Sequence, residues 1–138
     1  MALLWVTLAL RLTGLAWDSG IAAHPDERHL VETADALAWP DRLNPFAADP
    51  RFPYGHLPLY AIALATGRGD PLWTARVMAA LLDTGTVGLA AVLGRRVGGR
   101  RVGRLAAVLL AGMPLHVQQA HFGTVDPWLA FLTTGALL

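Results

Sequence analysis

The sequence predicts an all-α, polytopic membrane helix bundle, and three observations carry that reading. Hydrophobic residues make up 54% of the 138 residues against 15% charged, with a mean hydropathy of +0.44, where soluble domains run near a quarter charged. Long uncharged runs recur along the chain. Between two of them, Gly94–Arg104 reads GRRVGGRRVGR, placing Arg95, Arg96, Arg100, Arg101 and Arg104 together. Such a charge cluster keeps a loop on the cytoplasmic side. The same composition disfavours disorder, and a net charge of +1 disfavours a nucleic-acid partner. There is no cysteine, which excludes disulfides, thiolate zinc sites and cysteine nucleophiles. All eleven basic residues are arginine.

The elements follow in order. Met1–Trp17 is apolar apart from Arg11. It lacks the basic start and small-residue cleavage site of a signal peptide, so it reads as a first span. In the segment that follows, Pro25 suits a first helical turn. Leu30, Val31, Ala34, Leu37 and Ala38 then form one apolar stripe, with Arg28, Glu32 and Asp35 opposite and Trp39-Pro40 at the end. That pattern predicts an amphipathic helix at the membrane interface. Asn44–Pro58, with four prolines, reads as an extended connection.

His56–Thr66 offers about eleven helical residues, too few to cross a bilayer that requires roughly 17–25. Counting it as a span would also put the arginine loop outside. It reads as a juxtamembrane helix on the outer face. Leu72–Gly94, interrupted only by Arg76 and Asp83, and Leu105–Val125, which carries no formal charge, qualify as spans. Pro114 should kink the latter. Pro127–Leu138 reads as the start of a further helix, with more chain expected beyond it. The predicted organisation is a membrane domain with spans at about 1–17, 72–94 and 104–125, a partial span at 127–138 and an outer loop at 18–70. The N-terminus and the 95–104 loop are cytoplasmic, and the outer loop is extracytoplasmic.

Polar groups concentrate on the outer side. His24, Asp26, Glu27, Arg28 and His29 open the amphipathic helix, and Gln118, Gln119, His121, Thr124 and Asp126 end the last full span. Polar side chains at this depth face a bundle interior or a wet cavity, so both groups point to one outer cavity. A plainer account stands beside this one: Asp26 and Glu27 in a first turn are favourable to the helix dipole whatever else they do. Metal binding by His24, Asp26, Glu27 and His29 lacks the spacing that places two histidines on one helix face. Asp83 and Arg76, seven residues apart, stand about 10 Å from each other on a helix, too far to bond. Asp83 needs some other partner, and His116 suits a satisfied core histidine. Arg11 should snorkel or pair with a loop carboxylate. Binding of lipid headgroups is a second reading of the arginine loop.

Six motifs in order carry a resemblance: L-R-L-T-G-L-A-W-D (Leu10–Asp18), H-P-D-E-R (His24–Arg28), F-P-Y-G-H-L-P-L-Y (Phe52–Tyr60), A-R-V-M-A-A-L-L-D-T-G-T-V (Ala75–Val87), G-R-R-V-G (Gly94–Gly98) and Q-Q-A-H-F-G-T-V-D (Gln118–Asp126). Together they resemble the N-terminal part of polytopic, lipid-carrier-dependent glycosyltransferases of family 39, the protein-mannosyltransferase-like group with the GT-C fold. The resemblance implies transfer of a sugar from a polyprenyl-phosphate donor, in the membrane lipid, to an acceptor hydroxyl on the outer face. It implies that Asp26 of the Asp26-Glu27 pair is the catalytic base and that Asp126 lines the cavity. Arg28, Arg76 and His121 become the groups expected to support the departing phosphate. The resemblance names no certain cofactor, and a divalent metal has no residue pattern to support it. Family members have about a dozen spans, so this chain alone is expected to be inactive. The alternatives are a transporter or channel fragment with an ion path through Asp83, His116 and Asp126, or a non-catalytic membrane subunit.

Overall fold

A computed structural model describes residues 2–37, 43–48 and 52–138. Among these residues every regular element is an α-helix: α1 (Ala2–Leu12), α2 (Pro25–Asp35), α3 (Pro45–Ala48), α4 (His56–Thr66), α5 (Pro71–Ala111), α6 (Pro114–Gln119) and α7 (Asp126–Ala136). One of them, α5, is long and apolar enough to cross a membrane. The apolar helices α1 and α4 have only 11 residues each.

The sequence sets up α5 locally. Asp70 caps it by accepting the Leu72 N–H at 2.8 Å, and Pro71 occupies the first turn, where its missing N–H is harmless. Within α5, Gly98 (φ −137°, ψ 17°) and Gly99 (φ 80°, ψ −174°) leave helical geometry, and the chain folds back on itself. Asp83 and Ala111 would stand about 42 Å apart on a straight helix, yet both bond Arg11. The two arms, 71–97 and 100–111, run so close that a Cβ on Gly94 would lie 2.9 Å from the Gly103 Cα. Where a loop spanning Gly94–Arg104 was expected, the arginines are helical on both sides of a two-residue turn. Arginine is a good helix former, and only the glycine pair supplies the reversal, with Gly99 in the left-handed region that glycine tolerates.

Other boundaries shift for equally local reasons. The first apolar run is helical only to Leu12, and hydrogen-bonded turns with Gly14 at φ 84° follow. The expected kink at Pro114 is a full interruption. Met113 is extended (φ −69°, ψ 118°) and Pro114 opens the new helix α6, since a residue before proline resists the helical region. The proline-rich connection holds one helical turn, α3, where Asn44 Oδ1 accepts the Phe46 N–H at 3.1 Å and Pro45 begins the turn.

The apolar stripe of α2 does not face a membrane interface. Leu30 and Ala34 are buried against Leu59 and Ile62 of α4 and Ala75 of α5, with Val31 and Leu37 packed at the edge. Ala38, Trp39 and Pro40 lie outside the described residues. A second cluster joins Leu3 and Leu4 of α1 to Val87, Ala91, Ala107, Leu110 and Ala111 of the hairpin. On another face, Phe131 of α7 packs over Gly85, where a Cβ would come within 2.7 Å of its ring. The α5 hairpin is thus the axis; α1 and α7 flank it, and α2 and α4 cover its first turns.

Candidate functional site

Arg76 organises the end of α5 at which the outer-loop residues gather. Its side chain is 0% exposed, and all five of its N–H donors have acceptors. Nε and Nη2 donate to the two carboxylate oxygens of Glu27 at 2.8 and 2.7 Å. Nη1 and Nη2 donate to the two oxygens of Asp18 at 2.9 and 2.7 Å. The remaining donor reaches the Leu15 carbonyl, and the Trp17 ring lies 5.6 Å from the guanidinium carbon, within cation–π range.

Two carboxylates against one guanidinium leave a surplus negative charge, and backbone N–H groups meet it. Glu27 Oε1 accepts the Gly123 N–H at 2.6 Å. Asp18 accepts the N–H groups of Gly20 and Ala23 at 3.0 and 2.8 Å. The Arg76 hydrogen bonds, helped by those of Ala23 and Gly20 and opposed by burial, hold the Asp18 carboxyl well below the usual carboxylate range. Wrapping the chain around Asp18 puts two non-glycine residues, Ser19 (φ 59°) and Ala22 (φ 49°), in the left-handed region, a strain that this hydrogen bonding offsets. Gly123 has no substitute here, because a Cβ on it would stand 2.6 Å from the Ala75 Cβ.

Asp26 and Glu27 are neighbours with opposite fates. Helical geometry turns Glu27 inward, where both its oxygens are occupied, and turns Asp26 outward, where it is exposed. The Tyr54 hydroxyl hydrogen-bonds Asp26, and the charge of Asp126 also reaches it. Burial first, then these two carboxylates, raise the Tyr54 hydroxyl above its ordinary value, so the phenol stays a proton donor to Asp26 at neutral pH. Asp126 begins α7, is exposed, and accepts a long 3.5 Å hydrogen bond from the Thr124 hydroxyl. The polar clusters around residues 24–29 and 118–126 do meet, where Glu27 accepts the Gly123 N–H and His24 lies against Phe122. An exposed carboxylate such as Asp26, beside a hydroxyl donor, can accept a proton from an approaching hydroxyl group.

The remaining expected residues divide between surface and frame. Arg28 is exposed, with Nε donating to the Ala22 carbonyl at 3.1 Å. His121 has both ring nitrogens against backbone carbonyls, Val117 at 2.7 Å and Thr13 at 2.8 Å, and so ties α6 to the end of α1. Arg76 and Glu27 lie beneath the surface, in the frame that holds Asp26. An open cavity of about 460 Å³ lies beside them, lined by Thr13, Gly14, Trp17, Gln118, His121 and Phe122. Phe122 also stacks on His24 at 4.7 Å. Among the described residues no group of three His, Cys, Asp or Glu converges as a metal site would require.

Sequence reasoning missed Tyr54 as a site residue, although it sits inside the quoted F-P-Y-G-H motif. It also missed the partners of Arg11. That side chain is buried and pairs with Asp83, with further bonds to the Thr7 and Ala111 carbonyls at 3.4 and 3.3 Å; it neither snorkels nor reaches a loop carboxylate. The other Asp83 oxygen faces His116. No protein-family model, curated protein or solved structure matches the chain.

Proposed function

We propose that this chain is the N-terminal portion of a multi-pass membrane glycosyltransferase, moving a sugar from a polyprenyl-phosphate donor to an acceptor hydroxyl on the extracytoplasmic face. In this reading Asp26 is the base. It takes the hydroxyl proton as the acceptor oxygen bonds to the anomeric carbon; the sugar–phosphate bond breaks, and polyprenyl phosphate leaves with the electron pair. Arg28, two residues on, carries an exposed guanidinium suited to the departing phosphate. Arg76 and Glu27 position Asp26 without touching substrate, and Asp126 lines the acceptor side.

The observation that carries this reading is the division of labour between the adjacent carboxylates. Glu27 is saturated by Arg76 and Gly123, while Asp26 remains exposed beside Tyr54. The six ordered sequence motifs supply the reaction class. A membrane setting is supported by the apolar surface: Trp5, Val6, Leu81, Leu105, Leu109 and Leu129 are all more than half exposed, an exposure that water disfavours. With the arginine turn of α5 on the cytoplasmic side, Asp26 falls on the outer side. No observation favours an ion path, since both Asp83 oxygens are already engaged.

The test is transfer from a labelled polyprenyl-phosphate sugar in vesicles containing the complete protein. Asp26→Asn should lower transfer by at least about a hundredfold with insertion and yield unchanged. Near-normal transfer would remove Asp26 from the chemistry.

A further inference from the structure

The arginines at the α5 turn play no part in that chemistry. Arg96 donates to the Leu138 carbonyl. Arg95, Arg100, Arg101 and Arg104 are exposed and have neither an ion pair nor a hydrogen bond among the described residues. No Asp or Glu occurs between residues 84 and 125, so nothing nearby in the sequence offsets their charge.

Three of them converge. Arg100 and Arg104 are one turn apart on the second arm and share a face. From the first arm, the Arg95 stem crosses Gly103 so closely that a Cβ there would stand 2.4 Å from the Arg95 Cγ. Arg95, Arg100 and Arg104 line an open cavity of about 420 Å³. Arg104 also borders a second cavity of about 440 Å³, otherwise lined by Leu3, Leu4, Gly88, Ala91, Ala107 and Val108. Arg104 therefore borders both a bowl lined by three arginines and an apolar groove between α1 and the hairpin.

We propose that this junction binds an anionic phospholipid, with its phosphate among Arg95, Arg100 and Arg104 and the upper part of one acyl chain in the groove. Guanidinium groups grip phosphate through paired N–H donors. A free phosphate has no use for the groove, and an apolar chain has none for the bowl; a phospholipid uses both. The inference is independent of the Asp26 chemistry and needs only that the chain lie in a bilayer.

The experiment uses the complete protein, delipidated in neutral detergent micelles and titrated with phosphatidylglycerol or phosphatidylcholine of identical chains, with bound lipid counted by native mass spectrometry. Phosphatidylglycerol should bind at least about tenfold more tightly than phosphatidylcholine. Arg104→Gln should lose about tenfold of that affinity, whereas Arg101→Gln, on the same turn but outside the bowl, should stay within about twofold of it. Inorganic phosphate at equal concentration should not displace the lipid. Equal retention of the two lipids, equal losses for the two variants, or displacement by inorganic phosphate would each overturn the proposal. The first and second results would mean a diffuse charge effect, and the third a bowl that works without its groove. Both arginines are exposed, and an unchanged melting temperature certifies the variants as folded.

Discussion

The two ends of the first arm of α5 use the same side chain in opposite ways. Near its start, Arg76 is buried, all five donors are engaged, and two carboxylates outnumber it so that backbone N–H groups must make up the deficit. At its turn, four arginines stand exposed with no carboxylate partner among the described residues. Charge enclosed with its counter-charges fixes geometry, because moving it would leave a buried ion unpaired. Charge left open on a surface fixes little and remains available to anions from outside. The first end is built to hold Asp26 still. The second is built to be met.

The sharpest way to break this contrast is to remove the enclosed cation. Arg76→Ala leaves Glu27 and Asp18 buried without it and should destabilise the protein by about 3–5 kcal/mol, read by denaturant or thermal unfolding in micelles. A loss below 1 kcal/mol would mean that the network is ornamental. Next comes the turn itself, which depends on backbone and not on charge. A Cβ on Gly103 would stand 2.4 Å from the Ala91 carbonyl oxygen, while one on Gly99 meets nothing within 4 Å but sits at φ 80°. Gly103→Ala should therefore cost about 1–3 kcal/mol and Gly99→Ala about 1 kcal/mol; a reversed order would mean that the arms can part.

A subtler effect is acid sensitivity. Because folding lowers the Asp18 carboxyl below its ordinary value of 3.8, its contribution is complete above that pH and fades as pH falls through the depressed folded value. Asp18→Asn should be less stable at neutral pH and should flatten the acid limb of the stability curve; an unchanged limb would assign acid unfolding elsewhere. Smallest of all, Arg100→Gln and Arg104→Gln should each shift stability by less than about 0.5 kcal/mol, and a larger loss would show the turn arginines to be structural.

Much of the fold was legible where local rules decide it. His56–Thr66 was read with the bounds it has, since its glycine flanks and short apolar run leave little choice. Pro25 opens α2 as its first-turn preference requires. Legibility failed where a distant partner decides. The α2 stripe reads the same whether it meets lipid or α4, and periodicity carries no information about which. Arg11 and Asp83 each appear as a lone charge in an apolar run, and 72 residues separate them; the sequence says that each needs a partner without saying which one. At the site, Asp26 and Asp126 were legible as members of two polar clusters in an apolar chain. That Tyr54 meets Asp26, and that Glu27 turns inward while Asp26 does not, depends on how α2 is seated on α5.

Glu27 also sets a schedule. Its partners lie 49 residues away at Arg76 and 96 residues away at Gly123. The chain is made from its N-terminus, so Asp18 and Glu27 leave the ribosome as bare carboxylates and meet their cation only once α5 has begun. The last N–H donor arrives after the whole hairpin has been made. Closing loops of this length is slow compared with zipping the two arms of α5 around Gly98-Gly99. A nascent chain halted before residue 123 holds Asp26 on an anchor still missing one of its ties.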